Sequence, residues 1–130
     1  MKKAIKTDLH SENRPYEWAI LANETLYAAA APIRRNGEVE KGDISAQTSL
    51  TLENLRECME AAGGSMADVT QVTLFITDRS SVEAINKIWR SAFPAPYPVR
   101  VTVVVNEIGA HGLGLVIQAQ GHIPKDRQPA

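Results

Sequence analysis

Between Asp43 and Phe93 the apolar residues change their period twice, and this restricts the possible folds more than any other feature of the chain. From Asp43, a good N-cap, Ile44, Thr48, Leu52, Leu55, Met59 and Ala62 recur every three or four residues, and Gly63-Gly64 supplies a stop. That spacing predicts a long helix. Val69 to Thr77 then alternates, with Val72, Leu74 and Ile76 on one side and Thr73, Phe75 and Thr77 on the other, as a strand does. The helical period returns after Ser80, which with Glu83 matches a capping box, through Val82, Ile85, Ile88, Trp89, Ala92 and Phe93 up to Pro94.

The flanks read as strands. Trp18–Leu21 and Thr25–Ala30, separated by Ala22-Asn23-Glu24, predict a hairpin, and Pro32–Gly42 is an exposed loop around the turn signal Asn36-Gly37. Val99–Val105 is almost wholly β-branched, and Leu115–Ile123 sets Leu115, Ile117, Ala119, Gly121 and Ile123 against Val116, Gln118, Gln120 and His122. The order is β-β-α-β-α-β-β, an α+β fold in which connections of the usual right hand put both helices on one face of a sheet. Val, Thr and Phe fill both faces of the central strands, so the second face needs cover from outside the protomer, most simply a symmetric homo-oligomer. The residues 1–13 and 124–130 are expected to be flexible ends of a single domain spanning 1–130.

With 44% apolar residues the chain can build a core without disulfides or a structural metal. Its net charge of -1, from 14 basic and 15 acidic residues, gives no footprint for nucleic acid or an anionic membrane. The single Cys58 and the absence of an apolar leader or a run of membrane-spanning length lead us to expect a cytoplasmic protein. No metal is expected, since His10, His111 and His122 are scattered and no His or Cys pair stands at ligand spacing. Cys58 lies beside the apolar stripe of the first helix, where a packing role is the plain reading. No nucleophile elbow, P-loop or dinucleotide fingerprint is present, so no cofactor is expected; Gly109, Gly112 and Gly114 read as a strand connection.

Arg100 is the outlier. It interrupts a β-branched run in what reads as an interior strand, on the side shared with Thr102 and Val104. A guanidinium keeps its proton and its rigid fork matches a carboxylate. Its partner is therefore an internal acid, water at a sheet edge, or a bound ligand, and the residues alone leave these three open.

The ordered segments Ala61-Ala-Gly-Gly-Ser-Met-Ala-Asp-Val69, Val72-Thr-Leu-Phe-Ile-Thr-Asp78, Ala84-Ile-Asn-Lys-Ile-Trp89, Phe93 and Pro98-Val-Arg-Val-Thr-Val103 resemble the Rid (YjgF-type, reactive-intermediate deaminase) family. Gln47, Leu52, Asn54 and Leu55 fit its Gln-x-x-x-x-Leu-x-Asn-Leu helix, and Arg14-Pro-Tyr16 stands where the family usually has Gly-Pro-Tyr. The resemblance implies a chorismate-mutase-like fold assembled as a homotrimer, with ligand clefts between subunits. It further implies hydrolysis of reactive 2-imino or enamino acids to 2-oxo acids and ammonia. By position, Arg100 would hold the substrate carboxylate and Thr102 would offer backbone groups to the imine nitrogen or the water. Tyr16 would line the cleft, with Asn86 near it.

Two segments depart from the best-known branch. Ala28-Ala29-Ala30-Ala31-Pro32 replaces a Ser-Gly-Gln-x-Pro segment, and Val116 and Gln118 stand where a late Glu-x-Glu positions the attacking water. Glu107, His111 and Gln118 are the candidates to stand in for the lost carboxylate. The departures favour a different branch with a more apolar substrate, and leave as a second reading a non-catalytic trimer that binds small carboxylates or a protein partner. A hydrolase for another amide-like or ring substrate is compatible with the same scaffold.

Overall fold

A computed structural model describes residues 1–130. Six strands form one sheet: β1 (Lys2–Ala4), β2 (Ala19–Ala22), β3 (Thr25–Ala30), β4 (Val69–Ile76), β5 (Val99–Val104) and β6 (Leu115–His122), in the order β1-β2-β3-β6-β4-β5. The helices α1 (Ile44–Ala61) and α2 (Val82–Ala92) pack on each other in one layer against it. β4 and β5, joined through α2, are parallel neighbours, while β6 runs antiparallel to both β3 and β4. The mixed α+β architecture expected from the period changes is present, with one strand more than expected.

The core lies between the helix layer and one face of the sheet. Leu21, Leu26, Val72, Leu74, Ile76, Leu115 and Ile117 point inward from the strands to meet Leu55, Cys58 and Met59 of α1 and Ile85 and Trp89 of α2. The alternation read from the sequence is thus realised in β4 and β6. The opposite face is uncovered in the protomer: Tyr27 is 47% exposed and Val101 55%.

Helix ends follow local chemistry. Asp43 accepts the Ala46 N–H at 2.9 Å to start α1. Gly63, at φ +95°, reverses the chain after it, and an ideal Cβ there would lie 1.9 Å from the Arg127 carbonyl oxygen. No larger residue fits that crossing. The Ser80–Glu83 capping box does not form. Asp78 instead accepts both the N–H and the hydroxyl of Ser80, at 2.9 and 2.8 Å, and closes a short 3-10 turn, Arg79–Ser81, ahead of α2. The box fails because the nearer carboxylate takes the serine. Ser65 and Asp68 form an analogous box around the 3-10 turn Met66–Asp68.

Both ends, read from sequence as loose, are tied to the body. β1 pairs with β2, and Trp18 Nε1 donates to the His10 carbonyl at 2.7 Å. At the other end Arg127 pairs with Asp68 at 3.1 Å, and Gln128 Nε2 donates to the carbonyls of Asn23 and Ile123 at 2.7 and 2.9 Å. The interaction with Arg127 holds the Asp68 carboxyl below its ordinary range, the Ser65 N–H adds to this, and burial opposes it. A carboxylate depressed in the folded state stabilises above its unfolded pKa, and that contribution is lost as pH falls through the folded value. Asp68→Asn is therefore expected to be less stable than native protein near neutral pH. Its deficit should close in acid, as pH falls through the lowered pKa of the native carboxyl, in urea unfolding across pH; a deficit independent of pH would assign the loss to packing.

Candidate functional site

Two helix residues determine where irregular backbone can go. Asn54 of α1 is buried, and its amide donates to the carbonyls of Ala31 and Ile33 at 2.9 and 3.0 Å, pinning the chain where it leaves β3. Gln47, two turns earlier, donates to the carbonyls of Glu40 and Gly112 at 2.9 Å each and accepts the Gly114 N–H at 2.7 Å. It holds the connection between β5 and β6. Gly114 is required by this clamp, since a Cβ there would sit 2.9 Å from Gln47 Oε1.

Between the two pinned segments lies a cavity of about 310 Å³. Ala29, Ala30, Ala31 and Ile33 form one wall, Ile108, Gly109, Ala110 and Leu113 another, and Val116 the floor, with Arg14, Tyr16, Glu17 and Trp18 along the rim. Small residues in the alanine run leave the space open. Tyr16 is 62% exposed, so it forms one side of a mouth and is not part of a sealed interior. Arg14 lies over two rings, its Cζ 5.5 Å from the Tyr16 centroid and 5.6 Å from that of Trp18.

Arg100 is elsewhere. Its strand, expected inside the sheet, is the edge strand β5, where Arg100 lies beside Val72 and faces the helix layer. Its guanidinium carbon is 4.8 Å from the centroid of Trp89, which in turn packs on Phe93 at 4.9 Å. A cation over an aromatic face gains about 0.5–2 kcal/mol. Burial lowers the Arg100 pKa from its ordinary value, and no acid offsets it. The ion pairs of the chain belong to Arg34, Arg35, Arg56, Arg127 and His122, and none includes Arg100. Of the three partners left open by the sequence, the internal carboxylate is thereby removed.

Thr102 follows on the same side of β5 and is exposed. Val105 N–H donates inward to the Ile76 carbonyl at 2.9 Å. Because backbone direction alternates along a strand, the N–H and C=O of Thr102 point away from β4 to the open edge. Asn86 lies one turn before Trp89 on α2, half-buried, in a surface depression with Glu83, Lys87 and Arg90. Arg100 and Thr102 thus share one edge strand, and Arg100 lies over Trp89 of the helix that also carries Asn86.

Within the chain they do not meet the cavity. β6 and β4 stand between β3 and β5, and three spacings of about 4.8 Å separate Ala29 from the Arg100 strand by roughly 14 Å. Gln118 is on the open face between Ala29 and Thr73, beside a second hollow of about 240 Å³ shared with Tyr27 and Gln120. Glu107 is exposed and His111 lines a separate depression near Glu38 and Lys41, so neither reaches the cavity. Sequence reading overlooked Arg14 as a site residue; its signal was a large cation in place of a glycine beside two aromatics.

The comparisons agree with this frame. The family described as Endoribonuclease L-PSP matches residues 7–123. The chain belongs to the Rid/YjgF family. It is 30% identical over 119 residues to the mitochondrial protein mmf2 of Schizosaccharomyces pombe, covering 92% of this chain and 94% of that protein. It is 38% identical over 96 residues to a RutC family protein of Pyrococcus horikoshii, covering 72% of this chain and 76% of the relative. The solved structure of the Rid family protein YyfA from Yersinia pestis superposes with a TM-score of 0.89 at 29% identity, covering 95% of this chain and all (100%) of that one. No helix is long and apolar enough to cross a membrane, and the cytoplasmic expectation narrows to that statement, since one relative is a mitochondrial protein.

Cys58 is fully buried, and burial, with the charge of Glu57 adding to it, pushes its thiol up to about 12. Native protein at mildly alkaline pH is expected to resist a thiol reagent and to react with one equivalent in urea. Rapid labelling of the native state would contradict this placement.

Proposed function

We propose that this protein hydrolyses reactive 2-imino or enamino acids to 2-oxo acids and ammonia, in clefts between the subunits of a homotrimer. The observation that carries this reading is Arg100: a partly desolvated cation without an internal acid, at a sheet edge, in a Rid family chain. Arg79 and Arg90 are also unpaired but exposed to water, and Arg14, the other unpaired arginine, is half-buried at the cavity rim and not at the sheet edge. The assembly is supported by the division of the site. Tyr16 and the cavity lie at one place, Arg100 and Thr102 at another, and the open face carries apolar residues such as Val99, 65% exposed. A second copy docked on that face would bring the two halves together and cover the valines.

The chemistry needs little from the protein. A protonated imine is electrophilic at carbon; water adds across the C=N bond, and the resulting amino alcohol expels ammonia and leaves the 2-oxo acid. Arg100 would bind the carboxylate in two-point geometry and fix the C=N carbon, Thr102 backbone groups would face the nitrogen or the water, and Asn86 would line the cleft. Tyr16 would border the substrate side chain, and Gln118 follows Val116 on the same face of β6 as its nearest polar residue along the strand. The apolar wall from Ala29 to Ile33 suits the alkyl part of a substrate side chain. No metal or cofactor enters this scheme, and a chain with net charge -1 gives a ribonuclease reading no support.

One observation favours a second reading, a non-catalytic trimer that binds small carboxylates or a protein partner. Val116, where the family has the first glutamate of its late pair, lines the cavity floor and supplies no base. An amino-acid oxidase that generates imines in situ, with imine loss followed with and without protein, separates the two. Native protein is expected to accelerate loss, and Arg100→Ala to lower the rate by about tenfold or more, as removal of a charge-assisted bond does. No acceleration for any imine, with saturable 2-oxo acid binding that needs Arg100, would leave only the binding module. Sedimentation is expected to give a trimer, and a monomer would overturn the shared cleft.

A further inference from the structure

The rim of the cavity holds a second cation that the proposed reaction does not use. Arg14 lines the cavity, is half-buried over the faces of Tyr16 and Trp18, and takes part in none of the ion pairs of the chain. Nor does its guanidinium donate any hydrogen bond within the chain, although other arginines, such as Arg34 and Arg127, donate to carboxylates. Stacking on aromatic rings compensates part of the lost hydration of the cation, yet it uses the face of the guanidinium and leaves the edge, with its N–H donors, open. The stack also has an anchor: Trp18 is buried and its Nε1 is bound to the His10 carbonyl at 2.7 Å, so the ring that supports Arg14 is fixed. A planar fork held on a fixed ring beside an otherwise apolar hollow is a preorganised site for a carboxylate.

Glu17 shares the rim, and its carboxylate is the one charge nearby that would oppose an anion. It forms no ion pair with Arg14, so it does not occupy the fork. The rest of the lining is alkyl: Ala29, Ala31, Ile33, Leu113 and Val116. At about 310 Å³ the hollow suits a metabolite-sized aliphatic body.

From this arrangement we infer that Arg14 is a specificity-determining residue that binds a distal carboxylate, making the preferred ligand a small dicarboxylic imino or 2-oxo acid with a short aliphatic spacer. The inference rests on the proposed cleft, in which Arg100 of a neighbouring copy takes the carboxylate next to the reacting carbon. Arg14 would take the second one, and the alkyl wall the methylenes between them.

The test is calorimetric binding of two straight-chain 2-oxo acids of equal carbon number, one with a terminal carboxylate and one with a terminal methyl, to native protein, Arg14→Met and Arg100→Ala. Arg14→Met keeps an apolar stem over the rings while removing the charge. Native protein is expected to bind the dicarboxylate about tenfold more tightly or better, the scale of one charge-assisted pair. Arg14→Met should erase that preference by lowering the dicarboxylate affinity about tenfold, with circular dichroism and sedimentation as in native protein. Arg100→Ala should weaken both ligands. Equal affinities in native protein, or a preference that survives in Arg14→Met, overturns the role of Arg14 while the Arg100 reading stands. Binding of both ligands that is unaffected by Arg100→Ala overturns the cleft itself, and with it this inference. A Glu17→Gln variant should tighten the dicarboxylate by removing the opposing charge, and an unchanged or weaker affinity there would overturn the placement of the distal carboxylate at this rim.

Discussion

Asn54 and Gln47 set the two irregular segments on which everything outside the sheet depends. A buried side-chain amide that leaves its partners unsatisfied costs about 1–3 kcal/mol per group, so these two residues define positions rather than merely favour them. Asn54 fixes the exit of β3 by two carbonyls, Ala31 and Ile33, and Gln47 fixes the return into β6 through Gly112 and Gly114. Both sit on α1, seven residues apart and hence on one side of it. The helix acts as a ruler that holds two loops at a set distance, and the cavity is the space between them. In the sequence these amides looked like members of a family pattern, whereas their work is to satisfy backbone that no strand can satisfy.

Arg100 shows a different logic. Nearly every other anomaly in the chain resolves internally: Asp78 absorbs Ser80, Asp68 absorbs Arg127, and Glu40 absorbs Arg34. Arg100 finds only an aromatic face. Its strand has one side bonded to β4 and the other open, so charge and unpaired backbone coincide along a single edge. That coincidence, rather than the arginine alone, gives the edge its capacity for recognition.

Much of the fold was legible because periodicity is a local property. The two helices, the hairpin, β4 and β6 could all be located from which residues alternate, and the Asp43 cap and the Gly63 stop from residue chemistry. What escaped the reading depends on contacts distant in sequence. β1 is three residues without an apolar pattern and exists only because β2 offers it an edge. The interior position assigned to β5 followed from its β-branched content, which is equally suited to an edge that another surface will cover. Ser80 with Glu83 satisfied a local rule, but a carboxylate two residues earlier competed and won. For the site, Arg100 stood out as a charge in an apolar run, and Tyr16 came through the family pattern. Arg14 was passed over, since its setting over Tyr16 and Trp18 is a feature of three dimensions.

The alanines at 28–31 bear on how such a protein can change over time. Their backbone is held by the pairing of β3 and, at the Ala31 carbonyl, by Asn54, and the side chains that face the hollow, at Ala29 and Ala31, take no part in that hold. Shape is thus governed by one set of atoms and lining by another. A methyl there can be exchanged for a larger or more polar group without disturbing the scaffold, so the chain can explore new ligands through single substitutions while its folding remains insulated from the search.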